Sequence, residues 1–400
     1  MQSLITLLDY EACCAAGQGL HALRSALRDQ RSGLRPNNVE GSDLETWVGA
    51  VPGIDELEAA LSPRWRSRNN ALIELGLRQG RLLEKLEQLK TRYGSKRIAV
   101  IMGSSTSSID RAERAYRHLD AESHLTSEFN QPEVLNVHAP GLYVAARTGL
   151  EGPALTINTA CSSSAKVFAT AARWLQMGFV DAALVGGADI LCLSVLHGFH
   201  ALQLVSSRPC RPFDAARDGI NLGEAAGFAL MARAEDWPDN TGVVLSGYGE
   251  SSDAHHMSHP HPEGAGARRA IEQALSGAGL RADDIDYINL HGTASLANDR
   301  VEGRLVASMF PSSTRASSTK GWMGHTLGAA GIIESIIALD TLVTGMVPGT
   351  LNFERCEPGI PLALSADNQL LKPRHVMSNS FGFGGNNACL IFSQLPEASV

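Results

Sequence analysis

The chain has 400 residues, of which 44% are hydrophobic and 19% are charged, an ordinary composition for a globular protein. A formal net charge of −8 argues against general nucleic-acid binding. Seven cysteines without a CxxC pair, and an N-terminal apolar stretch too short for a signal peptide, predict a cytoplasmic protein with reduced thiols. No run approaches the roughly 18 apolar residues of a membrane span, so we expect no membrane span.

The predicted elements alternate between strands and helices along most of the chain. Residues 1–50 show little periodicity, whereas 69–93 predict one amphipathic helix whose middle is weakened by Gly76 and Gly80. Beyond it, short apolar runs predict strands at 97–102, 154–157, 181–187, 228–231, 243–247, 285–290 and 388–393, and helical periodicity predicts helices at 165–177, 266–279, 299–310 and 326–342. This alternation indicates an α/β fold with mainly buried sheets.

Cys161 lies in the most informative stretch of the chain, NTACSSS at 158–164. The stretch follows a predicted strand and precedes a predicted helix. At a helix N-terminus, the backbone N–H groups and the macrodipole favour a thiolate, which is the nucleophilic form of cysteine. A buried and inert cysteine is the alternative, and the local sequence leaves both interpretations open.

Two histidines downstream lie where a strand or loop meets a helix. His291 closes the predicted strand 285–290, and His325 lies within KGWMGHTLGAAG at 320–331. Either histidine alone is typical of a structural residue. Together with a cysteine nucleophile, neutral imidazole N–H groups could stabilise the enolate that forms when a carboxylate leaves as CO₂. Because Cys161 and His291 each follow a strand, one in each half of the chain, they also hint at a duplicated fold.

A glycine-rich segment, NSFGFGGNN at 379–387, precedes the last predicted strand. It is either a tight connection into that strand or a mobile loop. In the second interpretation a backbone amide contributes to an oxyanion hole, and Phe383 closes a pocket beside Cys161.

With these segments, the chain resembles the β-ketoacyl-acyl-carrier-protein synthases of the elongating Cys-His-His kind, within the thiolase superfamily, over roughly residues 60–395. The motifs that carry the resemblance occur in the family's order: TACSS at 159–163, HGT at 291–293, the segment 320–331 and the segment 379–385. The resemblance implies a thiolase-like fold, a duplicated αβαβα layered sandwich that forms an obligate dimer. Residues 1–240 would be the half that carries the cysteine, and residues 241–400 the half that carries the histidines.

The resemblance also implies roles for individual residues. Cys161 would accept the acyl group, while His291 and His325 would bind the malonyl thioester carbonyl and drive its decarboxylation. Lys320 would be the active-site lysine and Glu334 its acidic partner. The backbone N–H groups of Cys161 and Phe383 would form an oxyanion hole, and the Phe383 side chain would be a gate. Asp253 would be the aspartate of a second active-site loop, and Thr106 lies near the position that limits acyl-pocket depth.

The implied function is the decarboxylative Claisen condensation of malonyl-acyl-carrier protein with an acyl group held on Cys161, in fatty-acid or polyketide elongation. Departures from the family pattern at 294–299 and at Asn386 spare the residues that resemble the catalytic set, and they favour a type II polyketide or aryl-polyene ketosynthase. The resemblance implies no cofactor and no metal, because the substrates are carried on the phosphopantetheine of an acyl carrier protein. The four histidines between 255 and 261 are interpreted as part of an active-site loop rather than a metal site.

The carrier proteins of this family are acidic, so docking on a negatively charged chain requires a local basic patch. Arg64, Arg68 and Arg208 are the candidates. Arg64 and Arg68 could equally be solvent-exposed charges at the start of a helix.

Two other functions stay open. A chain-length-factor-like partner subunit would have the same fold without catalysis, but such subunits lack the cysteine. A coenzyme A thiolase needs a second cysteine as base near the C-terminus, where Cys389 lies in an apolar strand. The enzyme itself could form a homodimer or a heterodimer with a chain-length-factor-like homologue.

Overall fold

The computed structural model describes residues 4–126, 131–237 and 242–395. Its strands are β1 Ile5–Cys14, β2 Gly17–Gln18, β3 Arg35–Pro36, β4 Trp47–Gly49, β5 Ile98–Gly103, β6 Ala154–Ile157, β7 Ala182–Asp189, β8 Leu222–Gly223, β9 Ala225–Arg233, β10 Val243–Ser252, β11 Tyr287–Asn289, β12 Arg315–Ser317, β13 Met346–Val347, β14 Gln369–Leu370, β15 His375–Gly382 and β16 Asn386–Gln394. Its α-helices are α1 Leu20–Arg28, α2 Ile54–Ala60, α3 Arg68–Leu77, α4 Leu82–Tyr93, α5 Ile109–Arg117, α6 Pro132–Leu135, α7 Ala139–Thr148, α8 Ser163–Gln176, α9 Leu193–Ala201, α10 Ala265–Ala278, α11 Leu296–Met309, α12 Lys320–Met323 and α13 Ala330–Thr344.

One long mixed sheet follows the order β12-β11-β15-β16-β10-β1-β9-β7-β5-β6, with the short β2 paired to β1. The strands predicted from residue 97 onward are all present, with ends that differ by a few residues. The sequence analysis missed β1, which lies in the middle of the sheet, and β15, whose last four residues, 379–382, are the first part of the segment 379–387 that was interpreted as a tight connection or a mobile loop.

The sheet shows that the fold is duplicated. In the first half, β6 and β7 pair parallel to β5, and β9 pairs antiparallel to both β7 and β1. In the second half, β12 and β15 pair parallel to β11, and β16 pairs antiparallel to both β15 and β10. The strands of the two halves therefore have the same order and the same parallel and antiparallel pairings. The two halves meet where β1 pairs with β10.

This topology corrects one inference from the sequence. Cys161 follows β6, whose counterpart in the second half is β12, the strand that leads to His325. His291 follows β11, the counterpart of β5. Cys161 and His325 are therefore the equivalent pair, and the pairing of Cys161 with His291 was wrong. The predicted boundary at 240/241 lies outside the described residues, between the end of β9 and the start of β10, and stays a prediction.

Helices α8 and α13 form the central layer. Helix α8 packs on β5 and β7 of the first half and on β10 and β16 of the second, while α13 packs on β9 and β15 and on α8 itself. Gly331 permits the contact between the two helices, since a Cβ there would lie 2.4 Å from the backbone nitrogen of Ala165. Helices α3 and α4 cover the outer face of the first half, and α10 covers the outer face of the second. The result is the layered sandwich predicted from the sequence.

The helix predicted at 69–93 is two helices, α3 and α4, separated by Arg78–Arg81. Gly80 lies in this break with a φ of 53°, and a Cβ there would lie 1.9 Å from a carboxylate oxygen of Glu11. The chain turns at this position because glycine alone combines that backbone geometry with so close an approach.

The helix predicted at 326–342 begins as a 3₁₀ turn, Leu327–Ala329, and continues as α13. By length and composition, Leu327–Thr344 could cross a membrane, contrary to the expectation that no run approaches this length. In the structure 89% of this window is buried inside the protein, as is typical of a core helix.

Candidate active site

Cys161 lies in a tight turn between β6 and α8. Ala160 has a φ of 52°, which directs the chain sharply into the helix. The Ser163 hydroxyl holds the turn by accepting a hydrogen bond from the Thr159 N–H at 2.9 Å and donating one to the Ala160 carbonyl at 2.6 Å. The thiol is buried. The strand-to-helix placement predicted from the sequence is confirmed.

The structure brings the thiol and the two imidazoles together. Nε2 of His325 lies 3.0 Å from Sγ of Cys161. The rings of His291 and His325 are nearly perpendicular, with centroids 5.4 Å apart. One ligand atom from each of these three residues lies within 4.8 Å of the other two. Residues from three distant segments thus converge on one small volume.

Backbone hydrogen bonds fix each histidine. The N–H groups of His291 and Gly292 both donate to the Glu302 carboxylate on α11 at 2.8 Å. The His325 N–H donates to the Asn221 carbonyl at 2.7 Å, and its carbonyl accepts from the Gly223 N–H at 3.0 Å. The sequence analysis missed Glu302, although a carboxylate inside α11, eleven residues after His291, could have indicated it.

Lys320 and Glu334 form a buried ion pair beneath the histidines. The Lys320 ammonium donates to the Glu334 carboxylate and to the His291 carbonyl. Burial raises the pKa of both Glu334 and Glu302 to about 7. The predicted pairing of Lys320 with Glu334 therefore exists, and its contact with this site runs through the His291 backbone.

Burial also governs the protonation of the three central groups. It lowers the pKa of His291 and of His325 well below the ordinary range, and the Lys320 charge acts in the same direction, so both rings are neutral. Burial raises the pKa of the Cys161 thiol to about 11, which outweighs the opposite effects of the Phe383 backbone N–H and of the Lys320 charge. With this raised pKa the resting Cys161 is a protonated thiol, although a helix N-terminus by itself would favour the thiolate.

The glycine-rich segment reaches the thiol through its backbone. Strand β15 extends to Gly382, and the turn itself is Phe383–Gly385. The Phe383 N–H contacts the Cys161 thiol. The Phe383 ring stacks on the Phe199 ring, with centroids 5.4 Å apart. Phe199, on α9, was missed by the sequence analysis because nothing near it in sequence marks it.

Asp253 joins this turn to the loop that carries the histidine cluster. Its N–H donates to the Gly385 carbonyl at 2.9 Å, and its carboxylate accepts from the Asn387 side chain at 2.8 Å and from the His261 N–H at 2.9 Å. Asp253 thus holds two loops together at the edge of the site.

A cleft of about 780 Å³, counted with its open mouth, leads to Cys161, His291 and His325. Its other walls include Phe199, Asp253, Thr293, Phe381 and Phe383. The cleft is mostly apolar with a few convergent polar groups, which is typical of a site for an organic substrate. Cys389, the base that a thiolase would need, lies inside β16, is fully buried and does not line this cleft.

Thr106 does not line the cleft in this structure. Its hydroxyl donates to Asp189 at 2.7 Å. Asp189 also accepts from the Ser104 hydroxyl at 2.6 Å, the Ser105 N–H at 2.9 Å and the Gly328 N–H at 2.5 Å. This buried carboxylate, which the sequence analysis missed, ties the turn after β5 to the loop that carries His325. A role for Thr106 in acyl-pocket depth stays a prediction.

The three docking candidates differ in their surroundings. Arg64 and Arg208 are exposed, with ion pairs to Glu133 at 3.2 Å and to Asp218 at 2.9 Å. Arg68 points inward: its guanidinium forms two bonds, at 2.9 and 2.6 Å, with the fully buried carboxylate of Glu224. These contacts give Arg68 a structural role and leave Arg64 and Arg208 available to a partner.

Comparisons with known proteins agree with this fold and show the family of the chain. The chain matches the family models "Beta-ketoacyl synthase, N-terminal domain" at residues 14–237 and "Beta-ketoacyl synthase, C-terminal domain" at residues 243–354. The chain therefore belongs to the β-ketoacyl synthase family. It is a condensing acyltransferase of the 3-oxoacyl-acyl-carrier-protein synthase type, which acts in fatty-acid or polyketide elongation. The match begins well before residue 60, where the resemblance was expected to start.

Curated relatives and solved structures cover nearly the whole chain. The 3-oxoacyl-[acyl-carrier-protein] synthase 2 of Vibrio cholerae is 32% identical, over 90% of this chain and 91% of its own. A mitochondrial 3-oxoacyl-[acyl-carrier-protein] synthase of Arabidopsis thaliana is 33% identical, over 97% of this chain and 88% of its own. The ketosynthase ApeO in complex with its chain length factor ApeC, from Xenorhabdus doucetiae, superposes with a TM-score of 0.84 at 35% identity over 98% of both chains. The ishigamide ketosynthase/chain length factor gives a TM-score of 0.90 at 25% identity, over 99% of this chain and 100% of its own.

Proposed function

We propose that Cys161 carries the growing acyl group and that His291 and His325 serve its extension by malonyl-acyl-carrier protein. The observation that carries this proposal is the convergence of one thiol and two neutral imidazoles within 4.8 Å at the end of an apolar cleft. We expect the reaction to need no metal or cofactor beyond the phosphopantetheine arm of the carrier protein.

In the first half-reaction, the Cys161 sulfur would attack the thioester carbonyl of an acyl-carrier protein. His325 Nε2, at 3.0 Å, is the base positioned to take the thiol proton and to return it to the leaving phosphopantetheine thiol. The backbone N–H groups of Cys161 and Phe383 would stabilise the oxyanion, which requires the Phe383 N–H to exchange its thiol contact for the substrate oxygen.

In the second half-reaction, the malonyl carboxylate would leave as CO₂, and its electron pair would become an enolate on the thioester. The N–H group of the neutral His291 ring would hold that oxygen, joined by His325 once the proton of its neutral ring has moved from Nδ1 to Nε2. The enolate carbon would then attack the acyl carbonyl, and collapse of the adduct would release the Cys161 thiolate, which regains a proton from solvent through His325. Lys320 and Glu334 would act as positioning residues through the His291 backbone.

A partner subunit of the same fold is supported by the free edge of the sheet. Strand β6 ends the sheet, pairs only with β5 among the described strands, and leads directly to Cys161. Exposed apolar side chains lie nearby on the segment before it, namely Leu135, Val137 and Leu142. We propose that a second copy or a chain-length-factor-like homologue covers this edge, as a chain length factor accompanies the ketosynthase ApeO. Native mass measurement of the chain, alone and co-expressed with such a homologue, distinguishes a homodimer from a heterodimer.

The carrier protein would dock beside the exposed Arg64 and Arg208. We propose that the enzyme acts in a type II polyketide or aryl-polyene pathway, because of the departures at 294–299 and Asn386 and the likeness to ketosynthases that work with chain length factors. The cytoplasmic location expected from the free cysteines stays a proposal. Intact-protein mass spectrometry of Cys161 after incubation with a panel of acyl-carrier proteins identifies the acyl group.

The test of the proposed function is the Cys161→Ala variant. We expect it to lose both the acyl adduct and condensation, because no other thiol lines the cleft among the described residues. Cys356→Ala is the matched control, since this half-buried thiol lies outside the cleft. Formation of the β-ketoacyl product by Cys161→Ala, or loss of activity in Cys356→Ala, would contradict the assignment.

The His291→Ala variant separates the two half-reactions. We expect it to keep acylation of Cys161 and to lose decarboxylation of malonyl-carrier protein, because His325 is the histidine whose ring nitrogen lies 3.0 Å from the thiol. Acyl transfer followed with a labelled acyl group, and CO₂ release from labelled malonyl-carrier protein, measure the two steps. An equal loss of both steps would contradict the assignment of acylation to His325 and of decarboxylation to His291.

A further inference from the structure

A second pocket opens beside the mouth of the catalytic cleft. The two share His259, Pro260 and Ala297 as walls. The second pocket is further lined by His255 and His256 from the same loop and by Arg300 and Arg304 from α11. It is not part of the thiol and imidazole cluster.

The lining of this pocket is basic. Three imidazoles and two guanidiniums face it, and no carboxylate is among its lining residues in the described part of the chain. The nearest acidic partner, Glu357, pairs with Arg300 at 2.6 Å and is shared with Arg217. The Arg300 side chain nevertheless stays 44% exposed. A surplus of positive charge and N–H donors thus remains in the pocket.

The histidine loop is held in place, which keeps these donors ordered. The His261 N–H binds the Asp253 carboxylate at 2.9 Å, and the Met257 carbonyl accepts from the Gly384 N–H at 2.7 Å. The Ser258 N–H donates to Nδ1 of His256 at 3.1 Å. With Nδ1 as the acceptor of this bond, Nε2 is the ring nitrogen of His256 that can donate.

We propose that this pocket binds the phosphodiester of the phosphopantetheine arm. The inference rests on the proposed function, in which the arm brings a thioester to Cys161 through the cleft. The arm's phosphate remains outside an apolar cleft, and the pocket that adjoins its mouth offers guanidinium and imidazole donors. Such groups make the strongest hydrogen bonds to phosphate oxygens.

The test compares two small thioesters that differ only in the phosphate, acyl-phosphopantetheine and acyl-pantetheine. In His256→Gln and in Arg304→Gln, which change residues that line the second pocket and not the cleft, we expect kcat/KM for acyl-phosphopantetheine to fall about tenfold, while kcat/KM for acyl-pantetheine is unchanged. Arg281→Gln is the matched control, because this exposed arginine does not line the pocket. All assays contain EDTA, so that metal ions bound by the histidines do not contribute.

The outcomes separate this inference from the proposed function. A loss that is the same for both thioesters, or no loss in either, would overturn the phosphate site. A loss seen only with acyl-carrier protein would assign the pocket to acidic side chains of the carrier and would also overturn it. Failure of the wild-type enzyme to turn over acyl-carrier protein would refute the proposed function instead, and calorimetric titration of phosphopantetheine into wild type and variants would still test the pocket.

Discussion

Replacing Arg68 by alanine should destabilise the fold rather than impair docking of the carrier protein. The Arg68 side chain is only 18% exposed, and its partner Glu224 is 0% exposed. Without the guanidinium, the Glu224 carboxylate would keep two neutral donors, the N–H groups of Val51 at 2.9 Å and Leu191 at 3.2 Å, but no counter-charge. Removing one partner of a buried ion pair costs about 3–5 kcal/mol.

Two variants serve as references for this prediction. Arg64→Ala removes an exposed arginine from the same segment and should change stability by about 0.5 kcal/mol or less. Arg68→Met/Glu224→Gln removes both charges, and it should recover much of the stability that Arg68→Ala loses, because no unpaired charge remains.

Urea unfolding followed by tryptophan fluorescence at fixed protein concentration, with linear extrapolation, gives the free energy of unfolding for each variant. The KM for an acyl-carrier protein is measured in parallel below the unfolding range. If Arg68→Ala unfolded like the wild type while its KM for the carrier protein rose, the structural role would be refuted and the docking role restored.

Other predictions test the electrostatics and the packing. The rate at which iodoacetamide alkylates Cys161 should rise about tenfold per pH unit from 7 to 9, since a thiol with a pKa of about 11 gains thiolate as protons are removed; a rate that levels off below pH 8 would contradict the raised pKa. Asp189→Asn places an amide N–H₂ against backbone and hydroxyl donors, so it should lower stability by about 1–3 kcal/mol and reduce condensation through the His325 loop; normal urea midpoint and turnover would count against it. Gly331→Ala should lower the free energy of unfolding by about 1–3 kcal/mol, because the added methyl group overpacks the contact between α8 and α13. Gly198→Ala, with open space around its position, should leave the free energy of unfolding unchanged or raise it. Equal urea midpoints for the two variants would show that α8 and α13 can move apart without loss of stability.

Local patterns identified much of the site because each functional residue is marked by its immediate neighbours. Small residues surround Cys161, and glycines flank His291 and His325, because tight turns at strand ends require them. Phe199 follows Gly198 within helix α9 and Asp189 ends β7 after Gly187-Ala188, so their small neighbours do not distinguish them from ordinary helix and strand residues. They act on Phe383 and on the His325 loop through contacts with residues far away in sequence, which the alternation of apolar and polar residues cannot reveal.

The sequence by itself determined the α/β class, the family and the identity of the thiol, the two imidazoles and the lysine, since all of these are written in short contiguous motifs. Only the tertiary structure decided that Cys161 and His325 occupy equivalent positions in the two halves, that Arg68 faces a buried carboxylate, and that the resting thiol is protonated. The physical reason is that charge state and partner choice depend on burial and on contacts between distant segments. Desolvation of the Cys161 thiol outweighs the opposite effects of the Phe383 backbone N–H and the Lys320 charge, and none of these three is visible in the sequence around Cys161.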